Sequence, residues 1–184
     1  MSSNKTYEKY TNWRASNKPY VLAAVAAIVV FMLVAPITEK GNGMSPTIDK
    51  GNVVIIQKKT YSENQGLPEY EDIVVLKTDY YDTKTRGEHR VSRIIGLPGD
   101  TIEVKDGDVY RNGKKLKHKS YEKGKTTGEV APVEVGTNKV FLLCDNREDS
   151  VDSRNPQVGD ISLRNVRGKT LIIIWPFSNS GVVK

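Results

Sequence analysis

Hydrophobic positions along this chain follow two regimes that meet near residue 38. Tyr20 to Ile37 reads Tyr-Val-Leu-Ala-Ala-Val-Ala-Ala-Ile-Val-Val-Phe-Met-Leu-Val-Ala-Pro-Ile, without a charge or a strongly polar side chain. A helix of that length spans roughly 27 Å, close to the hydrocarbon core of a bilayer. The pattern therefore predicts a transmembrane helix over 20–37, with the lipid bilayer as its partner. The run is longer than the roughly 7–15 apolar residues of a cleavable leader, and no Ala-x-Ala break follows it. Pro36 stands near the end, where a missing N–H costs least.

Beyond residue 38 the apolar residues come in short, β-branched runs: Val53–Gln57, Asp72–Lys77, Val91–Ile95, Thr101–Lys105, Asp108–Arg111, Val140–Leu143 and Thr170–Trp175. Turn chemistry bounds them, as in Lys50-Gly-Asn, Pro98-Gly-Asp, Asp106-Gly-Asp and Asn112-Gly-Lys. Hairpins are predicted at Lys105–Asp108 and Arg111–Lys114. Val53–Ile56 and Leu171–Trp175 lack alternation, which predicts burial on both faces. Polar stretches at Tyr61–Glu71, Asp79–Glu88 and Lys117–Asn138 read as loops, the last long enough to be functional or mobile. The sum is an all-β domain over 38–184, an antiparallel fold of coiled sheets or a partial barrel, behind one N-terminal helix.

Charge refines this picture in one place. The chain of 184 residues carries +6 overall. Residues 1–19 hold Lys5, Lys9, Arg14 and Lys18 against Glu8, so half of that excess (4 − 1 = +3) lies in a short basic tail. Trp13 and Tyr20 read as interfacial anchors, and the positive-inside rule places the tail in the cytoplasm and 38–184 outside the cell membrane, a single-pass arrangement. No basic stripe with interleaved aromatics occurs, so no nucleic-acid partner is expected. Cys144 is the only cysteine, which excludes an intramolecular disulfide.

Three segments carry the chemistry: Asn42-Gly-Met-Ser-Pro-Thr47, Ser92-Arg-Ile-Ile-Gly-Leu-Pro-Gly-Asp100 and Asp145-Asn-Arg-Glu-Asp-Ser-Val-Asp-Ser-Arg154. Their order and spacers closely resemble the signature blocks of type I signal peptidases, membrane-anchored serine proteases with a Ser nucleophile and a Lys general base. The resemblance runs from about Pro19 to the C-terminus. It places the nucleophile position on Gly43 and the base position on Ser92. Gly43 has no side chain to attack a carbonyl, and a lone serine hydroxyl is too weakly basic to replace a buried lysine amine. Cys144 stands where the family's last block begins with Gly, which implies that it refills the space a lysine would occupy.

The remaining matched residues, Met44, Ser45, Pro46, Arg93, Asp145, Arg147, Ser150, Asp152 and Arg154, with Asn146 and Ser153, are expected to form a vestigial site, a groove and a bracing ion-pair network. Ser45 lies two residues, roughly 6–7 Å along a strand, from the nucleophile position, too far for catalytic geometry. Cys144 lacks an obvious base: His89 falls on the opposite strand face from Ser92, and His118 lies in a Lys-rich loop. Gly41–Met44 and His89–Ser92 are expected to be the groove edges, which an extended peptide joins as an added strand.

The resemblance therefore implies a non-catalytic signal-peptidase homologue, a peptide-binding or assembly factor without cofactor or metal. Its partner would be an extended preprotein or pilin segment near the membrane surface, and signal-peptidase-like pilus assembly proteins of Gram-positive bacteria are one such class. The alternative is a working signal peptidase with a displaced nucleophile. An engineered dead variant or a purely structural membrane protein fits less of the pattern.

Overall fold

The computed structural model describes residues 3–58, 61, 66–77, 89–148 and 151–183, with side chains from residue 17 onward. It divides into two units, residues 1–34 and 35–184.

The first unit is the helix α1, Ser3–Leu33. From Tyr20 to Leu33 every residue is exposed, including Leu22, Phe31 and Met32. The predicted helix over 20–37 is therefore corrected: it stops at Leu33, and Val34–Thr38 is the strand β1. Pro36 lacks the N–H that a continuing helix needs, and it biases Ala35 toward extended backbone. Among the described residues no helix is long and apolar enough to cross a membrane. The helical apolar stretch 20–33 rises only about 21 Å against a hydrocarbon core of about 30 Å.

The second unit is mostly β, with short 3-10 turns at Leu163–Asn165 and Phe177–Asn179. Its strands are β1, β2 (Val53–Lys58), β3 (Ile73–Lys77), β4 (His89–Gly96), β5 (Thr101–Lys105), β6 (Asp108–Arg111), β7 (Lys114–Lys115), β8 (Val130–Glu134), β9 (Lys139–Leu143), β10 (Ile161–Ser162), β11 (Val166–Trp175) and β12 (Gly181–Val182). The larger sheet runs β1-β2-β11-β3-β4-β9-β10, with β12 beside β11, and the smaller runs β7-β6-β5-β8. From β2 onward the paired strands of both sheets run antiparallel. Both expected hairpins form, and Asp106-Gly107 and Asn112-Gly113 have positive φ at each central residue, as a tight primed turn requires.

Three apolar clusters hold the strands together. Ile73 and Val75 enter one cluster while Val74 and Leu76 enter another, so β3, in the middle of the larger sheet, is buried on both faces. A third joins Ile95, Phe141 and Leu143 of that sheet to Ile102, Val104 and Val109 of the smaller one. Two-faced burial was expected of β2 and the end of β11 instead. There Val54 and Ile56 are buried but Val53 and Ile55 only partly, and Ile174 and Trp175 are exposed. Only one face of those strands meets a cluster, and a continuous β-branched run does not say which faces are covered.

The stretch Lys117–Asn138 is also corrected, because it contains β8. Pro132 argues against a strand in the interior of a sheet, but β8 lies on an edge, and the β5–β8 register shifts between Ile102 and Val104 beside it. Asp79–Glu88 lies outside the described residues. Where β11 crosses β2, Gly168 lies so close that an added Cβ would stand 2.1 Å from the Gln57 carbonyl oxygen. Backbone cannot retreat cheaply, so Gly168→Ala is expected to cost about 2 kcal/mol or more in thermal or urea unfolding. A neutral result would mean that the two strands are not packed this closely.

Candidate functional site

The segment bearing Gly43 is a compact turn, not a strand. Ser45 N–H donates to Asn42 O (3.2 Å) and Ile48 N–H to Met44 O (2.9 Å). That winding sends Met44 and Ile48 together into the first core cluster, both fully buried. Two expectations change: Gly41–Met44 is not a strand edge, and Met44 is core rather than groove lining. Ser45 is half-buried and Pro46 exposed.

The strand β4 carries Ser92 and Arg93. It pairs with β3 from His89 to Arg93, whereas its ladder with β9 begins only at Arg93. His89–Ser92 thus pair with β3 alone among the described strands. Arg93 and Asp145 form a fully buried, two-pronged ion pair: Nε donates to Oδ1 at 2.8 Å and Nη2 to Oδ2 at 2.7 Å. The same guanidinium donates to Glu71 O and lies 3.7 Å above the Tyr121 ring. Burial pushes the Tyr121 phenol up to about 12, partly opposed by Arg93. Thr47 Oγ1 donates to Asp145 Oδ2, and Asn146 N–H donates to Gly43 O at 2.8 Å. The third block therefore clasps the first directly.

Asp152 braces the same corner. Its Oδ2 accepts from Cys144 N–H (3.0 Å) and Arg154 Nη2 (2.8 Å), while Ser153 Oγ accepts from Leu142 N–H. Arg154 Nη1 reaches Thr127 O and Arg147 O. Arg147 is buried and pairs with Glu122 at 2.8 Å. Ser150 lies outside the described residues. These ion pairs and hydrogen bonds draw in residues that the motif does not contain: Glu71, Tyr121, Glu122 and Thr127 come from the polar stretches around it.

Ser92 and Cys144 meet in the core, 2% and 4% exposed, with Oγ 3.6 Å from Sγ. Cys144 belongs to the first apolar cluster.

Next to this pair lies a cleft of about 150 Å³, lined by Glu39, Lys40, Gly41, Gly43, His89, Arg90, Val91 and Cys144. His89 therefore shares the cavity with Gly43, although strand parity separates it from Ser92. Sequence reasoning passed over Glu39, which is 6% exposed and lines the cleft. Its Oε1 accepts from Gly41 N–H at 2.8 Å, and its Oε2 has no hydrogen-bond partner among the described residues. Burial chiefly raises its pKa, against the Gly41 N–H and the charge of Arg90. A raised carboxylate pKa means that the folded chain binds the proton more tightly than the unfolded chain. The penalty is absent at acid pH and develops as pH rises through the folded-state value. In sequence Glu39 stands among Thr38, Lys40 and Asn42, so nothing local sets it apart as buried.

Residues 13–175 match the family model described as signal peptidase, peptidase S26. The chain belongs to this family. Named signal peptidase I, a Bacillus licheniformis relative is 33% identical over 94% of this chain and 96% of its own length. Signal peptidase I T of Bacillus subtilis is 31% identical over 96% of this chain and 93% of its own. A solved signal peptidase I from Enterococcus faecalis is 26% identical, matching 56% of this chain and 97% of that one, with a TM-score of 0.45.

Proposed function

We propose that this signal peptidase family member binds an extended segment of a secreted preprotein, or of a pilin, at the membrane surface without cleaving it. The observation that carries this reading is the pair at the reacting positions. Gly43 offers no nucleophile, and Ser92 abuts Cys144 where a base would need an amine. A Ser–Lys mechanism needs both groups in one unit. The intact clasp between the first and third blocks, and the half-paired edge of β4, favour retention of the peptide groove.

Single-pass anchoring by the basic tail and the apolar helix belongs to the same proposal. An apolar helical stretch of 20–33 is short for a bilayer, a mismatch met by local thinning and by flanking Lys18 and Tyr20 reaching the interface. Trp175, Phe177 and Val182, all exposed near the end of β11, give the β unit an apolar patch suited to a membrane surface.

The second reading is an active signal peptidase with a displaced nucleophile, favoured by the names of the relatives. One assay separates the two. Incubation of the full chain with a preprotein carrying an Ala-x-Ala site, read by mass spectrometry, is expected to show no processing above background. Processing that disappears in Ser45→Ala or Cys144→Ala would establish the active reading.

A further inference from the structure

We propose that Glu39 makes the cleft beside Gly43 selective for a basic side chain, Lys or Arg, carried on an extended peptide. This rests on the peptide-binding reading above and adds the chemistry of the ligand.

The starting point is an energetic anomaly. A carboxylate that is 94% buried keeps one oxygen bonded to Gly41 N–H while the other, Oε2, has no hydrogen-bond partner among the described residues. Such a group is costly to bury, and polar atoms this deep normally find donors within the fold. Other buried carboxylates of the unit do so: Asp145 and Asp152 each accept bonds at both oxygens. Glu39 differs in lining a cleft, where a ligand supplies the missing donor.

The cleft sets the kind of donor. Its roughly 150 Å³ matches about five water molecules at some 30 Å³ each, room for one long unbranched side chain. Backbone amides of an added strand would already be matched along His89–Ser92. A neutral donor would leave the carboxylate's charge to Arg90 alone, whereas a charge-assisted bond is about twice as strong. The charged and titratable groups facing the cleft are Lys40, His89, Arg90 and Cys144. Arg90 acts on Glu39 through space and lowers the cost of keeping it ionised, while the hydrogen-bonding position at Oε2 stays with the ligand.

The test uses the full chain in detergent micelles and a ten-residue fluorescent Ala/Thr peptide. Lys is placed at each position in turn, with norleucine and Ala peptides as controls, and binding is followed by anisotropy. In one register Lys is expected to bind about tenfold or more tighter than norleucine. Glu39→Gln is expected to erase that preference while changing norleucine binding little, and to melt no lower than the wild type at neutral pH. Peptides that bind without preferring Lys would overturn this inference alone. Preference that survives Glu39→Gln would overturn the role of Glu39. If no peptide binds the wild type, the peptide-binding reading falls and this inference with it. The wild-type comparison decides the selectivity even if the variant folds poorly.

Discussion

Gly43→Ser combined with Ser92→Lys and Cys144→Gly is expected to cleave a preprotein measurably, while every single substitution stays at background. Nucleophile and base act as one unit, so restoring either alone restores nothing. The third change matters because Sγ of Cys144 already touches Oγ of residue 92 at 3.6 Å in a packed cluster. A lysine stem extending from β4 would have to pass that sulfur. Overpacking of this kind costs about 1–3 kcal/mol, so the triple variant is expected to exceed the Ser/Lys double by about tenfold. The measurement is the cleavage rate on one preprotein across all combinations. A double variant as fast as the triple would remove Cys144 from the explanation. A folded but inactive triple would show that the groove itself has diverged.

Asp145→Ala is expected to be among the most destabilising substitutions in the chain. It strands Arg93, fully buried, and removes the acceptor that fixes Thr47. Breaking a buried pair from one side costs about 3–5 kcal/mol, or roughly 10 °C for a domain of this size. Replacing both partners by apolar residues, Arg93→Met with Asp145→Leu, should cost less, since no lone charge is left. The exposed Lys115–Asp108 pair provides the contrast, and Asp108→Ala is expected to cost under about 1 kcal/mol. Thermal melts of the three variants check this. Equal losses for Asp145→Ala and Asp108→Ala would refute the bracing role of the ion pair.

Strand positions were legible where short β-branched runs ended in turn residues, and the two hairpins could be placed to the residue because Asp106-Gly107 and Asn112-Gly113 admit few other geometries. The elements missed were those with weak local signals. The strand β8 contains Pro132, and β7, β10 and β12 are two residues each, held by their neighbours rather than by propensity. At the site, motif spacing gave Arg93, Asp145, Asp152 and Arg154 their places. It could not give Tyr121 beneath Arg93, Glu122 beside Arg147 or Thr127 beside Arg154, which arrive from a distant polar stretch. Glu39 was missed because burial of a single charge is a property of the folded cleft, and no local pattern announces it.

The clasp between the first and third blocks also orders events in time. Thr47 and Asp145 are 98 positions apart in the chain, and the Asn42–Asn146 contact spans 104. At a synthesis rate of about 5–20 residues per second, the turn around Gly43 waits roughly 5–20 s before its counterpart exists. Throughout that interval Met44 and Ile48 lack Cys144 of their cluster, and Ile173 follows later still. Contacts of such long sequence separation close slowly, since the loop entropy is lost before they form. The cleft beside Gly43 is therefore a late product of folding, and a chain interrupted before residue 145 has strands but no cleft.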